Sequence, residues 1–128
     1  MRIKLTSIMV DHQEKGLKFY TEVLGFRKKH DIPVGEYRWL TVVSPEGPDD
    51  VELALEPNAN PAGKTFQDAM FAQGIPLAAF EVSDIEQEYA RLTAKGVAFT
   101  KPPAKAGPVS IAILADTCGN LIQLYQPV

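Results

Sequence analysis

The sequence has 128 residues, of which 45% are hydrophobic and 23% are charged. These proportions are typical of a globular domain, and they exclude a disordered chain. The 13 Lys and Arg residues and the 16 Asp and Glu residues give a formal net charge of -3, so the composition offers no excess of cations for binding nucleic acid.

Cysteine content and hydropathy restrict the cellular setting. A single cysteine, Cys118, excludes an intrachain disulfide. No apolar stretch approaches the ~20 residues that a helix needs to cross a bilayer, and the start Met-Arg-Ile-Lys-Leu-Thr-Ser lacks the apolar run of a signal peptide. We therefore expect a cytoplasmic protein whose partner is neither a membrane nor a nucleic acid.

The chain nearly repeats itself along its length. The segment Val10–Glu14 is matched 72 positions later by Val82–Glu86, and Val51–Leu53 is matched by Ile122–Leu124 at an offset of 71. A repeat of this size indicates two similar structural modules. We expect a single domain over residues 1–128, built of a first module at about 1–57, a connector with a short helix at 58–74 and a second module at about 75–128.

The first module shows one helix among several strands. Apolar residues recur at helical spacing over Gln13–Leu24, with Leu17 and Tyr20 on one stripe, and Gly25 follows as a stop signal. A capping box at Asp11–Glu14 fits the start of this helix. Alternation and turn residues predict strands over four ranges: Ile3–Val10, Phe26–Lys29, Tyr37–Val43 and Val51–Leu55.

The connector and the second module follow the same pattern. Turn residues at Asn58–Gly63 precede Lys64–Gln73, where Met70 and Phe71 belong to a set of apolar residues at helical spacing. A second capping box at Ser83–Glu86 predicts a helix that begins in the same register as the first. Three more strands are predicted after it, at Ala98–Lys101, Pro108–Leu114 and Leu121–Gln126.

Segments of both modules resemble the signatures of a known superfamily. The run Val10–Phe26 is similar to the first-module signature of the vicinal oxygen chelate superfamily, which includes glyoxalase I, bleomycin-resistance proteins and extradiol dioxygenases. Phe80–Ile85, Gly96-Val97 and Asp116–Leu124 resemble the second-module signature. The resemblance implies an α+β fold of two tandem βαβββ modules, the glyoxalase/bleomycin-resistance/dihydroxybiphenyl dioxygenase fold. In that fold, curved mixed sheets form a cup around a ligand, commonly in a homodimer.

The resemblance also implies where a metal ion would be bound. Metal-dependent members carry ligands on the first and last strands of each module. These positions map onto Leu5 and Glu52 in the first module, and onto Leu77 and Gln123 in the second. Leucine cannot donate to a metal, and a catalytic divalent ion usually needs at least three protein ligands. We therefore expect a site with no metal and no other cofactor.

Glu52 has two interpretations. Strand alternation places it on the cup side, where a carboxylate could bind a cationic or hydroxylated ligand, or act as a general base if burial raised its pKa. It could equally be a half-exposed acid on a sheet face. Gln123 is expected to orient a ligand, because an amide donates and accepts hydrogen bonds but does not transfer protons.

Apolar side chains are expected to form the walls of the ligand site. Leu5 and Ser7 share one strand face, and Leu77 has the corresponding place in the second module. Trp39, Met70 and Phe71 are further candidates, although packing is the more common role of such residues. Three other residues have simpler interpretations: His12 as a capping residue, His30 as an exposed loop residue and Cys118 as an inert turn thiol.

Two functions fit these residues. The first is a metal-free protein that binds a small, partly apolar molecule. The second is a glyoxalase-like lyase or dioxygenase-like enzyme with an atypical or metal-free site that uses Glu52. The leucines at both first-strand positions favour the first function, whereas Glu52 and Gln123 keep the second open.

Overall fold

Two four-stranded mixed sheets organise the chain in the computed structural model, which describes all 128 residues. In chain order the elements are β1 (Leu5–Val10), α1 (Gln13–Lys18), a π-helical segment (Phe19–Val23), β2 (Arg27–Val34), β3 (Tyr37–Val43), β4 (Glu52–Pro57), α2 (Pro61–Ala72), β5 (Ala78–Glu81), α3 (Ile85–Ala94), β6 (Phe99–Ala106), β7 (Val109–Ala115) and β8 (Leu121–Pro127).

Both sheets have the same topology. The strand orders are β1-β4-β3-β2 and β5-β8-β7-β6. In each sheet the first and last strands of the module pair in parallel, and the other pairings are antiparallel. This arrangement confirms the predicted α+β fold of two βαβββ modules. The chain divides into two compact units, Met1–Gln67 and Asp68–Val128. None of the helices has both the length and the hydropathy that a membrane-spanning segment requires.

The strand predicted at Ala98–Lys101 extends as β6 to Ala106, where it pairs with Val109 of β7. Two other differences between predicted and observed element boundaries also have local causes. The short strand predicted after the first helix extends as β2 to Val34, because it pairs along the whole of β3. The connector helix begins at Pro61 rather than at Lys64. The Asn60 side chain accepts a hydrogen bond from the Ala62 N–H at 2.9 Å, and proline is well suited to the first turn of a helix.

The first predicted helix is present, but it changes its hydrogen bonding midway. The Leu24 N–H donates to the Phe19 carbonyl at 3.0 Å, which is π-helical spacing. The wider turn buries Phe19 as well as Tyr20, whereas Leu17 of the predicted stripe is only half-buried. Gly25 ends the segment with φ +94°, as its place in the sequence predicts.

Both helix starts are displaced by one residue from the predicted capping boxes. The N-cap of α1 is His12, whose Nδ1 lies 3.5 Å from the Lys15 N–H. The N-cap of α3 is Asp84, whose Oδ1 accepts from the Gln87 N–H at 3.0 Å. The boxes predicted to open at Asp11 and Ser83 are therefore wrong in their first residue, because the side chain one position later accepts the hydrogen bond. The two caps, His12 and Asp84, are 72 positions apart, the same offset as in the sequence repeat.

The first sheet buries one face against α1. The Gln13 side chain fixes the helix there: its Nε2 donates to the carbonyls of Arg38 at 2.8 Å and Leu55 at 2.9 Å, and its Oε1 accepts from the Arg38 N–H at 3.0 Å. Gly16 allows close packing, since a Cβ placed on it would lie 3.1 Å from Val10 Cγ1. The opposite face, here called the open face, includes Leu5, Ser7, His30, Ile32, Val34, Tyr37, Trp39, Thr41 and Glu52 by register and alternation.

Candidate functional site

Three side chains of the open face form a polar cluster, here defined as His30, Thr41 and Glu52. The Thr41 hydroxyl donates to Glu52 Oε1 at 2.8 Å, and His30 Nδ1 lies 2.8 Å from the same oxygen. The Thr41 oxygen also accepts from the His30 backbone N–H at 3.2 Å. Thr41 is fully buried, Glu52 is half-buried and the His30 side chain is 40% exposed. The cluster therefore joins β2, β3 and β4 and presents the imidazole to the surface.

A β-bulge places His30 in this cluster. The pairing of β2 with β3 shifts after Lys28, so that Lys28 is opposite Val42 but His30 is opposite Thr41. Lys29 is the extra residue, and the shift brings His30 to the face of Thr41. The prediction that His30 is an exposed loop residue is wrong, because β2 continues through it. The alternation of His30 with Ile32 was the signal that could have revealed the strand.

Glu52 is a stabilised carboxylate. Its pKa is lowered, mainly by the Thr41 hydroxyl and further by His30 and by the Lys29 ammonium group, whose Nζ lies 3.9 Å from Oε2. These interactions outweigh the opposing effect of burial. The raised pKa that a general base at Glu52 would need is therefore not present, and the imidazole of His30 is the more exposed polar group beside it.

Apolar side chains surround the polar cluster on the same sheet. Leu5 is directly opposite Glu52 on the neighbouring parallel strand and is 48% exposed. Ile32 is opposite Trp39, and Ile32 is 50% exposed while Trp39 is half-buried. Ser7, exposed, lies on the same face of β1. The first sheet thus brings Leu5, Ser7, Trp39 and Glu52 to one face, and their roles in binding stay predictions.

The second unit carries the other candidate residues. Gln123 is half-buried on β8 between Ala79 of β5 and Ile113 of β7. Leu77, two residues before Ala79, precedes β5, and its backbone N–H donates to the Leu121 carbonyl at 3.0 Å. Thus Ala79, rather than Leu77, stands opposite Gln123.

The connector helix α2 carries Met70 and Phe71. Met70 is half-buried and Phe71 is 44% exposed. Phe71 contributes to a surface cavity of about 310 Å³, whose other lining residues are Asp68, Ala72, Ala115, Thr117 and Gly119. Whether either residue contacts a ligand stays a prediction.

The arrangement of donors does not fit a metal centre. No three His, Cys, Asp or Glu side chains are grouped so that they could hold a metal ion. At the polar cluster, Glu52 and His30 provide two donors, and Leu5 occupies the neighbouring position on β1. A structural or catalytic divalent ion usually takes three or four protein ligands.

Cys118 lies in a hydrogen-bonded turn between β7 and β8. Its side chain is fully buried, and its backbone N–H donates to Asp116 Oδ1 at 2.7 Å. The same oxygen accepts from the Asn120 N–H at 3.0 Å, and Oδ2 accepts from Asn120 Nδ2 at 2.7 Å. A carboxylate with three donors organises this turn and leaves the thiol inaccessible to large reactants.

A family model and full-length relatives match this chain. The model described as Glyoxalase/Bleomycin resistance protein/Dioxygenase superfamily matches residues 2–124. An uncharacterized protein of Bacillus subtilis (strain 168), YurT, is 54% identical over 98% of this chain and 99% of its own length. A probable lactoylglutathione lyase of Vibrio parahaemolyticus serotype O3:K6 is 32% identical over 98% of this chain and 90% of its own.

A solved structure supports the same relationship. TnmS3, an antibiotic binding protein from Streptomyces sp. CB03234, superposes with a TM-score of 0.79 at 30% identity, covering 100% of this chain and 97% of TnmS3. Each of these matches spans both modules of the chain.

Proposed function

Because the chain belongs to the Glyoxalase/Bleomycin resistance protein/Dioxygenase superfamily, we propose that it binds a small, partly apolar organic molecule on the open face without a metal ion. The observation that carries this proposal is the polar cluster of His30, Thr41 and Glu52 among exposed apolar side chains. Such a surface combines apolar area for affinity with a few polar groups for orientation. The similarity to an antibiotic binding protein supports binding of an organic ligand.

A metal-free lyase is the second candidate. It is favoured by the relative named as a probable lactoylglutathione lyase and by an exposed imidazole beside a carboxylate, which is a common arrangement for proton transfer. The lowered pKa of Glu52 makes His30 the better candidate for the base. The two functions differ in whether the bound molecule is recovered unchanged.

The test is an NMR titration of the ¹⁵N-labelled protein with 1-naphthol as a small aromatic probe. We expect shift changes at the open face, including the indole N–H of Trp39, the only tryptophan, and recovery of unchanged probe. Leu5→Asp should weaken binding at least roughly fivefold, because it places a charge in the apolar contact. Chemical conversion of the hemithioacetal of methylglyoxal and glutathione by the metal-free protein would instead support the lyase.

Val51→Asp is the matched control for Leu5→Asp. Val51 is 42% exposed, similar to Leu5, but it lies before the first residue of β4 and is not among the residues that pairing places on the open face. It should leave the affinity for 1-naphthol unchanged. Equal loss in both variants, or shift changes that avoid the open face, would contradict the proposed site.

A further inference from the structure

We propose that His30 is the group that recognises the ligand, and that it accepts a hydrogen bond at Nε2 from a neutral hydroxyl such as that of a phenol or an enol. The inference rests on the proposed function and specifies the chemical class of its ligand. It differs from the sequence-based expectation, in which Glu52 itself held a cationic or hydroxylated group.

The hydrogen bonds of the polar cluster fix the proton on His30. Glu52 is ionised and can only accept hydrogen bonds, so the 2.8 Å contact between its Oε1 and His30 Nδ1 requires a proton on Nδ1. The Thr41 hydroxyl donates to that same Oε1 at 2.8 Å. In a neutral imidazole with Nδ1 protonated, Nε2 carries the lone pair and is an acceptor. The carboxylate thus sets the tautomer that a donor ligand needs.

Glu52 itself is poorly placed to hold a cationic ligand. Its Oε1 already receives two hydrogen bonds, and its Oε2 lies 3.9 Å from the Lys29 ammonium group. Lys29 is in turn held by a hydrogen bond from Nζ to the Asp49 carbonyl at 2.7 Å. The positive charge of Lys29 would repel an organic cation that approaches Glu52, whereas it would not repel a neutral hydroxyl.

The surroundings of His30 suit the rest of such a ligand. The His30 side chain is 40% exposed. Its contacts with Thr41 and Glu52 are made by Nδ1, so Nε2 is the ring nitrogen that can accept a hydrogen bond from a ligand. The next residue on the same face of β2 is Ile32, which is half exposed and lies opposite Trp39. An aromatic ring on this apolar pair would place its hydroxyl within reach of the imidazole, in the manner of small-molecule sites that combine apolar area with one directed polar group.

Two measurements on the wild-type protein test the inference. Long-range ¹H–¹⁵N correlation spectra at about pH 8 should show that His30 carries its proton on Nδ1. Titrations with 1-naphthol and with 1-methoxynaphthalene, which has no donor, should show that the naphthol binds roughly three to ten times more tightly, the range expected for one hydrogen bond. A proton on Nε2, or equal affinities, would overturn the inference.

Variants connect the selectivity to His30. His30→Phe keeps an aromatic ring but removes the acceptor, so the ratio of the two affinities should fall to about one. His12→Asn removes the only other histidine and keeps a good N-cap residue for α1, so it should leave the ratio unchanged. An unchanged ratio in His30→Phe would also overturn the inference.

The same titrations separate this inference from the proposed function. If 1-naphthol and its methyl ether bind the open face equally well, the proposed function stands and the role of His30 is wrong. If neither compound binds there, both are wrong. If 1-naphthylmethylammonium binds more tightly than the naphthol, Glu52 rather than His30 recognises the ligand, and the inference is overturned.

Discussion

A bidentate ion pair joins Asp31 and Arg38 on the face of the first sheet that packs on α1. Arg38 Nε donates to Asp31 Oδ1 at 2.9 Å and Nη2 donates to Oδ2 at 2.7 Å, while Nη1 donates to Glu14 Oε1 of α1 at 2.9 Å. These bonds connect β2, β3 and the helix. The Arg38 hydrogen bonds are the main reason that the pKa of Asp31 falls from its ordinary value of 3.8 to about 2.

Replacing Asp31 should therefore reduce stability in a pH-dependent way. The pKa of Asp31 is lower in the folded state, so its stabilising effect is present above about 3.8 and is lost as the pH falls towards about 2. Asp31→Asn should lower the free energy of unfolding at neutral pH by about 1 kcal/mol, since partial exposure of the pair limits its strength. Urea unfolding of both proteins between about pH 7 and pH 3 measures this difference.

The matched control for Asp31→Asn is Asp49→Asn. Asp49 is an exposed carboxylate in the segment between β3 and β4, and its replacement should change stability little at any pH. A stability difference for Asp31→Asn that stays constant down to pH 3 would show that the lost contact is not electrostatic.

At the residue scale, alternation predicted the shared face of some candidate residues and missed His30, for identifiable reasons. It placed Leu5 and Glu52 on the side of the predicted cup, and the regular register of β1, β3 and β4 puts both on one face of the sheet together with Trp39. It missed His30, because a bulge inserts one residue before it and the strand continues through a polar stretch. A period of two cannot reveal a shift of register within a strand.

At the scale of elements, the register of β1 against β4 decides which residues can join Glu52. Leu5 and Glu52 are direct partners on parallel strands and share the open face. A third donor at position 5 would therefore stand beside the pair of Glu52 and His30.

Leu5→His should therefore create a metal-binding site. It would complete a set of two imidazoles and one carboxylate, which is a common ligand set for zinc. We expect calorimetric titration with Zn²⁺ to show a gain in affinity of at least roughly tenfold over the wild type, and the gain should disappear when Glu52→Gln is added.

Val51→His is the control for this design, because it adds the same imidazole next to Glu52 in the chain but outside β4, at a position with no pairing partner on β1. If both variants bind Zn²⁺ equally, or if Leu5→His gains nothing, the side chains of Leu5 and Glu52 do not converge as the register indicates.

Element prediction succeeded where local signals agreed. The strand Tyr37–Val43 was predicted with its observed bounds, since alternation and flanking turn residues point to the same limits. The π-helical segment Phe19–Val23 has no comparable signal. Its Thr21 hydroxyl donates to the Leu17 carbonyl at 2.6 Å, and the burial of Phe19 depends on packing that periodicity does not describe.

At the scale of the whole molecule, the repeat is conserved in topology but not in chemistry. His12 and Asp84 cap equivalent helices, and the two sheets have equivalent strand orders. In the first module Leu5 pairs with Glu52, whereas in the second Ala79 pairs with Gln123. The carboxylate and imidazole pair therefore belongs to one module, while the second presents an amide between aliphatic neighbours. Whether Gln123 and Glu52 serve the same ligand stays a prediction.

The surface of the first sheet provides a reason to expect a second copy of the chain. β2 is an edge strand of its sheet, and on the open face it exposes Ile32 by 50% and Val34 by 61%. Tyr37, opposite Val34, is 43% exposed. Burying these exposed apolar side chains at the C-terminal end of β2 favours contact with another chain, and a homodimer is the simplest closed arrangement.

We therefore predict that the protein is a homodimer and that Val34 contributes to the contact. Sedimentation equilibrium at micromolar concentration should give twice the chain mass of 14.0 kDa. Val34→Lys should raise the dissociation constant of the dimer at least roughly tenfold, because it places a charge among the exposed apolar side chains of Ile32 and Tyr37 and opposes their burial. Val51→Lys, on an apolar residue of lower exposure outside this edge, should leave the dissociation constant unchanged.

A 14.0 kDa species for the wild type at that concentration would contradict the dimer. An unchanged dissociation constant in Val34→Lys would leave the dimer in place but move its contact away from β2.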